Sequence, residues 1–329
     1  MATSEEPLIV ITGGAGFIGS GVVSHLNSMG KENIVVVDDL GRGGKWQNLV
    51  GKRFVDIISR HALFSWLEGK QEQLGAIIHL GACSSTVEAN ADYLLDNNYR
   101  FSIRLADYAL RYSLRFIYAS SAATYGDGSL GFSDDHALIG QLKPLNMYGY
   151  SKQLFDLWVQ SQGLLDQFVG IKYFNVFGPN EAHKGRMASA VHHFFPMVQK
   201  EGVVRLFQSE FPADFPHGGQ MRDFIYVKDA VAITCAFLGN KIGGIFNVGS
   251  GTASTWNQLV YALFAALGMP AHIEYIPMPA DLVGKYQNYT CAPMGKLQQA
   301  LNAAYISARP LDATIADYVH NYLMLDRRW

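Results

Sequence analysis

The sequence of 329 residues has few cysteines, little net charge and no long apolar segment. Its three cysteines, Cys83, Cys235 and Cys291, are odd in number and form no CxxC pair, which argues against a disulfide framework or a metal site. A formal net charge of -2 provides no basic field for nucleic acid. The longest apolar stretches, such as 230–238, are too short to cross a bilayer, and residues 1–7 are not signal-like. We therefore expect a cytoplasmic protein without metal, nucleic-acid or membrane partners.

Short apolar runs alternate with helix-length stretches over the first 120 residues. The pattern predicts strands at 8–12 (LIVIT), 33–38 (NIVVVD), 76–80 (AIIHL) and 116–120 (FIYAS). Continuous apolar strands that alternate with helices predict a parallel sheet covered on both faces. The predicted fold is therefore an α/β fold with a Rossmann-type, doubly wound parallel sheet.

The pattern changes near Gly178. Residues 180–222 mix glycine, proline, histidine and phenylalanine without a clear period, and an α/β pattern returns at 224–238 and 244–267. The pattern of the last sixty residues or so predicts that they form part of a smaller, discontinuous α/β domain. We expect a nucleotide-binding domain at 1–175 plus about 223–268, and a substrate-binding domain at about 176–222 plus 269–329.

A glycine cluster lies between the first predicted strand and the first predicted helix. The cluster, TGGAGFIG, contains Gly13, Gly16 and Gly19. Such glycines permit a tight turn and a close approach to a diphosphate, and the helix N-terminus offers N–H donors; a purely structural turn is the alternative. Asp38 ends the second strand, where an acid binds ribose hydroxyls and favours NAD, whereas Arg42 and Lys45 suit the 2′-phosphate of NADP. These residues leave the choice open.

A tyrosine and a lysine lie four residues apart in YGYSK, so they share one face of a predicted helix. With an ordinary pKa of about 10, the Tyr148 phenol is a poor base at neutral pH unless the Lys152 ammonium and a cofactor cation stabilise the phenolate. Ser121 ends a predicted strand, at the edge where open α/β sheets place ligands, so its hydroxyl is placed to bind the reacting oxygen. A YxxxK pattern also arises by chance. Because the glycine cluster, Ser121 and this pattern follow one another in that order along the chain, together they predict hydride chemistry.

Motifs along nearly the whole chain resemble one family. The extended short-chain dehydrogenase/reductases, which include nucleotide-sugar epimerases and dehydratases, have motifs similar to TGGAGFIGS, HLGACSST, DNNY, YASSAATYG, PLNMYGYSK, YFNVFGP and RDFIYVKD. The branch that epimerises ADP-heptose at C6 resembles this chain at ACSSTVE, FNVFGPNEAHKGRMAS and YIPMPADLVGKYQ. The resemblance implies that this chain epimerises an ADP-heptose substrate at C6, for lipopolysaccharide core precursor synthesis. It also implies tightly bound NADP that is regenerated in each cycle, and a homo-oligomer, of which a pentamer is one form.

The resemblance further implies roles for single residues. Because the two epimers present opposite faces, the family uses two bases, and these roles fall on Tyr148 and Lys184, with Lys152 and Ser121 completing the catalytic set. Residues implied to line the cofactor are Gly13, Gly16, Phe17, Ile18, Gly19, Asp38, Asp39, Lys45, Leu80, Gly81, Ala82, Cys83, Ser84, Asn97 and Lys152. Residues implied to hold the substrate are Ser121, Asn175, Lys184, His193, Phe207, Gln208, Ser209, Glu210, Arg222 and Tyr286.

Three segments depart from the family pattern. Residues 51–64 carry an insertion, so Arg60 matches a basic cofactor contact only loosely. Residues 208–221 are longer than usual just before Arg222. Asp39 stands where an amide is expected, which places two acids near the ribose and weakens the assignment of NADP.

Other functions stay open on the residues alone. A related epimerase or dehydratase of a UDP- or dTDP-hexose is the second hypothesis, but a dehydratase needs an acid pair beside the active serine, and Ser121 precedes Ala-Ala-Thr. A third is a non-catalytic NADP-binding protein, which would have no reason to keep Ser121, Tyr148 and Lys152 together. Without the family, Lys184 would be a solvated loop residue, and Arg222 would pair with the aspartate after it.

Overall fold

A computed structural model describes residues 6–279, 287–301 and 309–329 of the chain. Its largest sheet has seven strands: β1 (Leu8–Thr12), β2 (Ile34–Val37), β3 (Asp56–Ile58), β4 (Leu74–His79), β5 (Arg115–Ser121), β6 (Val169–Tyr173) and β10 (Gly244–Val248). They are ordered β10-β6-β5-β4-β1-β2-β3, and each pairing from β3 to β5 is parallel. This order contains the 3-2-1-4-5-6 arrangement of a doubly wound dinucleotide-binding sheet. The predicted fold class is confirmed.

Helices of 4 to 15 residues lie between the strands of this sheet. The helices in the first part of the chain are α1 (Phe17–Ser28), α2 (Leu63–Leu67), α3 (Ala91–Leu94), α4 (Phe101–Arg111) and α5 (Met147–Ser161). A π-helical turn, Leu95–Arg100, connects α3 to α4. Phe116 of β5 lies in the centre of this core, with its ring centroid 4.9 Å from that of Phe168 and 6.5 Å from that of Phe155 on α5. Burial of such apolar rings is the main stabilising contribution.

The remaining strands form two small sheets. They are β7 (Asn175–Phe177), β8 (Val204–Phe207), β9 (Met221–Tyr226), β11 (Ala253–Thr255) and β12 (Ile273–Ile276). The order is β11-β9-β7 in one sheet and β12-β8 in the other. The accompanying helices are α6 (Ala190–Glu201), α7 (Val227–Ala236), α8 (Trp256–Ala266), α9 (Gly295–Ala300) and α10 (Leu311–Tyr318), which continues into the π-helical turn Val319–Leu323. None of the helices within the described ranges is long and apolar enough to span a bilayer.

The chain divides into two compact units. The first contains the residues up to Gly126, Asp134–Lys172 and Val231–Phe246, and the second contains Asp127–Ser133, Tyr173–Ala230 and the residues from Asn247 onward. The predicted boundaries placed 127–133, 173–175, 223–230 and 247–268 with the nucleotide-binding domain, and these stretches lie in the second unit. The two longest belong there because β9 pairs with β7 and β11, and because α8 packs against α6 and α10.

Segment 180–222 differs from its predicted irregular structure. It contains α6 and β8, and α6 buries Val191, Phe195 and Val198 against α8 and α10. Pro196 lies inside α6. A proline argues against a helix interior because it lacks an N–H donor, so this residue is a misleading signal for secondary structure.

Candidate active site

The glycine cluster forms a tight turn between β1 and α1. Gly13 has a φ of 69°, and a Cβ atom there would lie 2.7 Å from the backbone nitrogen of Gly81. A Cβ on Gly19 would lie 2.1 Å from the carbonyl oxygen of Gly13. Gly16 occupies the N-cap of α1 and provides no side-chain cap. These features fit a diphosphate, because the backbone can approach closely and the helix N-terminus attracts negative charge.

Two acids at the end of β2 are each bound by cations. Asp38 accepts a 3.0 Å hydrogen bond from the backbone nitrogen of Ala15, in the glycine turn, and a further bond from the Lys45 ammonium. Asp39 forms a 2.7 Å ion pair with Arg60, and this pairing and a bond from the Ser59 hydroxyl hold the pKa of its carboxyl below the ordinary value against the opposing effect of burial. The excess acidity expected near the ribose is therefore compensated by Lys45 and Arg60.

The segment from Leu80 to Ser84, predicted to line the cofactor, is fixed by an asparagine that the sequence analysis did not select. The buried side chain of Asn98 accepts a 2.9 Å bond from the backbone nitrogen of Cys83 and donates a 2.9 Å bond to the carbonyl oxygen of the same residue. It also donates to the hydroxyl of Ser151 on α5. Asn97 donates to Asn98 and accepts from Arg60. Asn98 thus holds this segment against α5, and the DNNY motif was the available signal.

Ser121, Tyr148 and Lys152 come together where β5 ends and α5 begins. Asn146 caps α5 by accepting a 2.8 Å bond from the backbone nitrogen of Gly149. Tyr148, in the first turn, is hydrogen-bonded to Ser121. Lys152 lies one turn further along the same face and donates a 2.8 Å bond to the carbonyl oxygen of Ala119. The predicted juxtaposition of serine, tyrosine and lysine is present in the structure, and it can exchange a proton with a hydroxyl.

Burial shifts the pKa of both Tyr148 and Lys152. Burial raises the pKa of Tyr148, while its hydrogen bond to Ser121 acts in the opposite direction. Burial lowers the pKa of Lys152 to about 8, and the negative charge of Asp156 partly counteracts this effect. A phenol of raised pKa needs a nearby cation to act as a base, and Lys152 lies one turn further along the same helix face.

A fully buried ion pair lies beside these residues within the first unit. The ammonium of Lys172, on β6, is 2.7 Å from Asp156 on α5 and donates a 2.7 Å bond to the hydroxyl of Thr124. Asp156 also accepts bonds from Tyr118 and Ser120 on β5. The pair is almost entirely shielded from solvent, and its charges compensate each other there.

In the second unit, Lys184 lies in a short 3₁₀ segment, Ala182–Met187, that kinks at Gly185 with a φ of 53°. Its side chain is partly buried. Burial lowers the pKa of Lys184, and the carboxylate of Glu181 partly offsets that effect. A lysine with a lowered pKa is closer to acting as a base at neutral pH than a solvated surface lysine is.

Arg222 and Asp223 are both buried on β9. Asp223 accepts bonds of 2.5, 3.0 and 2.9 Å from the backbone nitrogens of Ser250, Gly251 and Ala292. Adjacent side chains of a strand point to opposite faces, so this arrangement does not favour the alternative of an ion pair between these two neighbours. The guanidinium carbon of Arg222 lies 5.9 Å from the ring centroid of Trp256.

The other predicted substrate residues lie on separate elements of the second unit. Asn175 is exposed at the start of β7, and His193 is half-buried on α6. The segment Phe207, Gln208, Ser209 and Glu210 begins at the end of β8, where the backbone nitrogen of Ser209 donates a 3.0 Å bond to His217. Tyr286 lies outside the described residues.

The sequence analysis also did not select Gln220. Its side chain is 1% exposed, and neither its amide nitrogen nor its amide oxygen has a hydrogen-bond partner within the described ranges. It lies immediately before β9, two positions from Arg222. Nothing in the sequence pattern distinguished this glutamine.

The chain is similar to known epimerases in both sequence and fold. Residues 9–249 match the model of the NAD dependent epimerase/dehydratase family. The chain is 51% identical to the ADP-L-glycero-D-manno-heptose-6-epimerase of Nitratidesulfovibrio vulgaris, over 96% of this chain and 98% of that protein. It is 42% identical to the protein of the same name from Fusobacterium nucleatum, again over 96% and 98%. The crystal structure of the Helicobacter pylori ADP-L-glycero-D-manno-heptose-6-epimerase superposes with a TM-score of 0.80 at 29% identity, covering 96% of each chain.

Proposed function

Because this chain belongs to the NAD dependent epimerase/dehydratase family, we propose that it converts ADP-D-glycero-D-manno-heptose to ADP-L-glycero-D-manno-heptose by inversion at C6, for lipopolysaccharide core precursor synthesis. The observation that carries the proposal is the placement of Ser121 at the end of β5 beside Tyr148 on α5, with Lys152 on the same face of that helix. This arrangement occurs in a chain whose sequence is 51% identical, over 96% of its length, to an ADP-L-glycero-D-manno-heptose-6-epimerase. A nicotinamide dinucleotide is the cofactor of the family.

Within the first unit, Tyr148 exchanges the proton of the reacting C6 hydroxyl. Ser121 binds the same oxygen and keeps it within reach of the phenol. Lys152 holds its ammonium close to the phenolate and lowers the cost of forming it. A bound nicotinamide dinucleotide, held at the glycine turn between β1 and α1, would supply a hydride acceptor and donor for C6, so no external reductant would be needed.

Inversion requires proton exchange for both epimers. One fixed base serves one orientation of the C6 hydroxyl well, so we assign a second base to Lys184. Its partial burial favours the neutral amine, which a base requires. Glu181 opposes complete loss of the proton, so Lys184 can bind and release a proton.

We propose NADP as the preferred cofactor. The carboxylates of Asp38 and Asp39 are each paired with a cation, Lys45 for the first and Arg60 for the second. Each cation offsets one of the two acids, so no excess negative charge opposes a 2′-phosphate there, and a guanidinium offers paired donors to phosphate oxygens. The predicted cofactor residues are proposed to bind NADP as a set: Gly13, Gly16, Phe17, Ile18, Gly19, Asp38, Asp39, Lys45, Leu80, Gly81, Ala82, Cys83, Ser84, Asn97 and Lys152.

For the substrate, we propose that Arg222 binds the diphosphate. Its side chain is 7% exposed, and a guanidinium with little access to water binds a diphosphate more strongly than a solvated one does. The remaining substrate contacts are proposed for Asn175, His193, Phe207, Gln208, Ser209, Glu210 and Tyr286. We also propose that the enzyme is a cytoplasmic homo-oligomer.

The deciding experiment is incubation of the purified protein with ADP-D-glycero-D-manno-heptose and no added cofactor. Chromatographic resolution of the two C6 epimers should show conversion towards an equilibrium mixture. Absence of conversion by a protein that turns over a UDP-hexose would overturn the proposed substrate. A protein that binds NADP but interconverts neither class would be a non-catalytic binding protein.

A further inference from the structure

Glu181 is fully buried, and its carboxylate joins the two ends of the Lys184 segment. One oxygen, Oε1, accepts a 3.1 Å bond from the backbone nitrogen of Gly178 and a 2.7 Å bond from the Ser189 hydroxyl. The other oxygen, Oε2, accepts a 2.5 Å bond from the backbone nitrogen of Ser189. The residues before and after Lys184 are therefore held by one side chain. These three bonds replace the hydration that the carboxylate loses on burial.

The backbone of this segment has little freedom to change. Gly178 has a φ of 136°, and a Cβ there would lie 2.7 Å from the ring of Tyr226. Asn180 and Gly185 also have positive φ values, 77° and 53°. The backbone nitrogen of Lys184 donates a 2.9 Å bond to the carbonyl oxygen of Glu181. The segment is thus a closed turn whose position depends on Glu181 at both its ends.

Two helices also meet this carboxylate. Ser189 caps α6 by accepting a bond from the backbone nitrogen of His192, while its hydroxyl donates to Glu181. Tyr318 of α10 is hydrogen-bonded to Glu181, and burial together with this carboxylate raises the pKa of its phenol. The same negative charge raises the pKa of His192, against the larger effect of burial.

We propose that Glu181 is a positioning residue for Lys184, holding the amine in its working place and keeping its charge balanced. The inference rests on the proposed role of Lys184 as the second base. Glu181 itself is bound on both oxygens by protein donors, so it acts through Lys184 and not on the substrate. The mechanism assigned to Tyr148 and Lys152 does not use this carboxylate.

The experiment compares the wild-type protein with Glu181→Gln, which keeps the size of the side chain but replaces one acceptor oxygen with a donor nitrogen. The rate at which Lys184 reacts with an acylating reagent is measured by peptide mass spectrometry as a function of pH. Lys200, an exposed lysine on α6, provides an internal reference. Epimerisation is followed in parallel as kcat and KM, with Glu201→Gln as the matched control on an exposed carboxylate.

In Glu181→Gln we expect the labelling curve of Lys184 to move to lower pH, because a negative charge that stabilises the ammonium is lost. We expect kcat to fall about tenfold or more with a smaller change in KM, since misplacement of a catalytic group mainly affects the chemical step. Glu201→Gln should match the wild type. Glu181→Asp should restore the labelling curve more fully than kcat, because it returns the charge but shortens the reach.

An unchanged labelling curve for Lys184 in Glu181→Gln would overturn the proposal, whatever happens to kcat. If that variant does not fold, Ser189→Ala is measured instead. It removes the hydroxyl that donates to Glu181, one of the three donors to this carboxylate. The resulting change at the carboxylate should shift the labelling curve of Lys184 in the same pH range. An unmoved curve in Ser189→Ala would then contradict the proposal. The labelling requires no turnover, so it reports on Glu181 even if the protein fails to epimerise ADP-heptose, which would instead refute the proposed function.

Discussion

The ammonium of Lys152 donates a 2.8 Å hydrogen bond to the carbonyl oxygen of Ala119. This bond connects α5, which bears Tyr148, to β5, which ends in Ser121. The lysine therefore has two effects: it fixes the helix against the strand, and it provides a positive charge near the phenol. Removing it would disturb both, so the effects of each group must be separated by variants that change one property at a time.

Tyr148→Phe should abolish epimerisation while the nicotinamide cofactor stays bound. The phenyl ring keeps the packing but cannot exchange a proton, and positioned acid–base groups contribute about 10² to 10⁴ in rate. The measurement is the rate of epimer interconversion, with cofactor content determined from absorbance after denaturation. Tyr150→Phe, an exposed neighbour on the same helix, should retain full activity. Equal losses in both variants would point to damage to α5.

Lys184→Met should also abolish epimerisation without loss of cofactor. Methionine has a similar length and fills the partly buried site, but it has no group that binds a proton. Epimer resolution after prolonged incubation provides the measurement, and Lys200→Met is the matched control because that lysine is exposed on α6. Full activity in Lys184→Met would reject the assignment of two bases.

Lys152 should make folding stability depend on pH. Its pKa is about 8 in the folded protein, against an ordinary value of 10.5, so between these values the unfolded chain binds more protons and rising pH favours the folded state. Relative to Lys152→Met, the wild type should gain about 1 to 3 kcal/mol in free energy of unfolding from pH 7.5 to 10. Urea unfolding of both proteins across this range tests the difference. Parallel curves would show that the folded-state pKa is not lowered.

Arg60→Ala should weaken NADP binding about tenfold to a hundredfold and affect NAD much less. A hydrogen bond to a charged group contributes about 1.5 to 3 kcal/mol, and only NADP has the 2′-phosphate. Calorimetric titration of cofactor-depleted protein with each dinucleotide gives the two affinities. Arg53→Ala is a suitable control, since that arginine pairs with Glu32 on the surface. Equal weakening of both cofactors would contradict the assignment of NADP to Arg60.

Local patterns predicted most of the first unit. The strands β1, β2, β4 and β5 are built around apolar runs, and the glycine turn lies between a strand and a helix. Patterns among neighbouring residues were therefore sufficient to predict these elements. Ser121 and Tyr148 were predicted to meet because both lie at ends of predicted elements. The three-residue strand β3 was missed because Asp56–Ile58 is too short to show a period.

Long-range contacts could not be predicted in the same way. Asn98 lies in the DNNY motif, but its bonds join residues that are distant along the chain, and Glu181 lies in an irregular turn without a local pattern. Lys184 was selected only through the family resemblance. The predicted domain boundaries differed because pairing of β9 with β7 and β11 depends on tertiary contacts, which sequence periodicity does not report.

The buried pair of Lys172 and Asp156 has a consequence for how the first unit folds. Either charge, if buried before its partner arrives, is uncompensated, and removal of one member of such a pair typically costs about 3 to 5 kcal/mol. Intermediates in which only β6 or only α5 has docked are therefore sparsely populated. The two elements should gain protection from hydrogen exchange together, as one cooperative unit of folding.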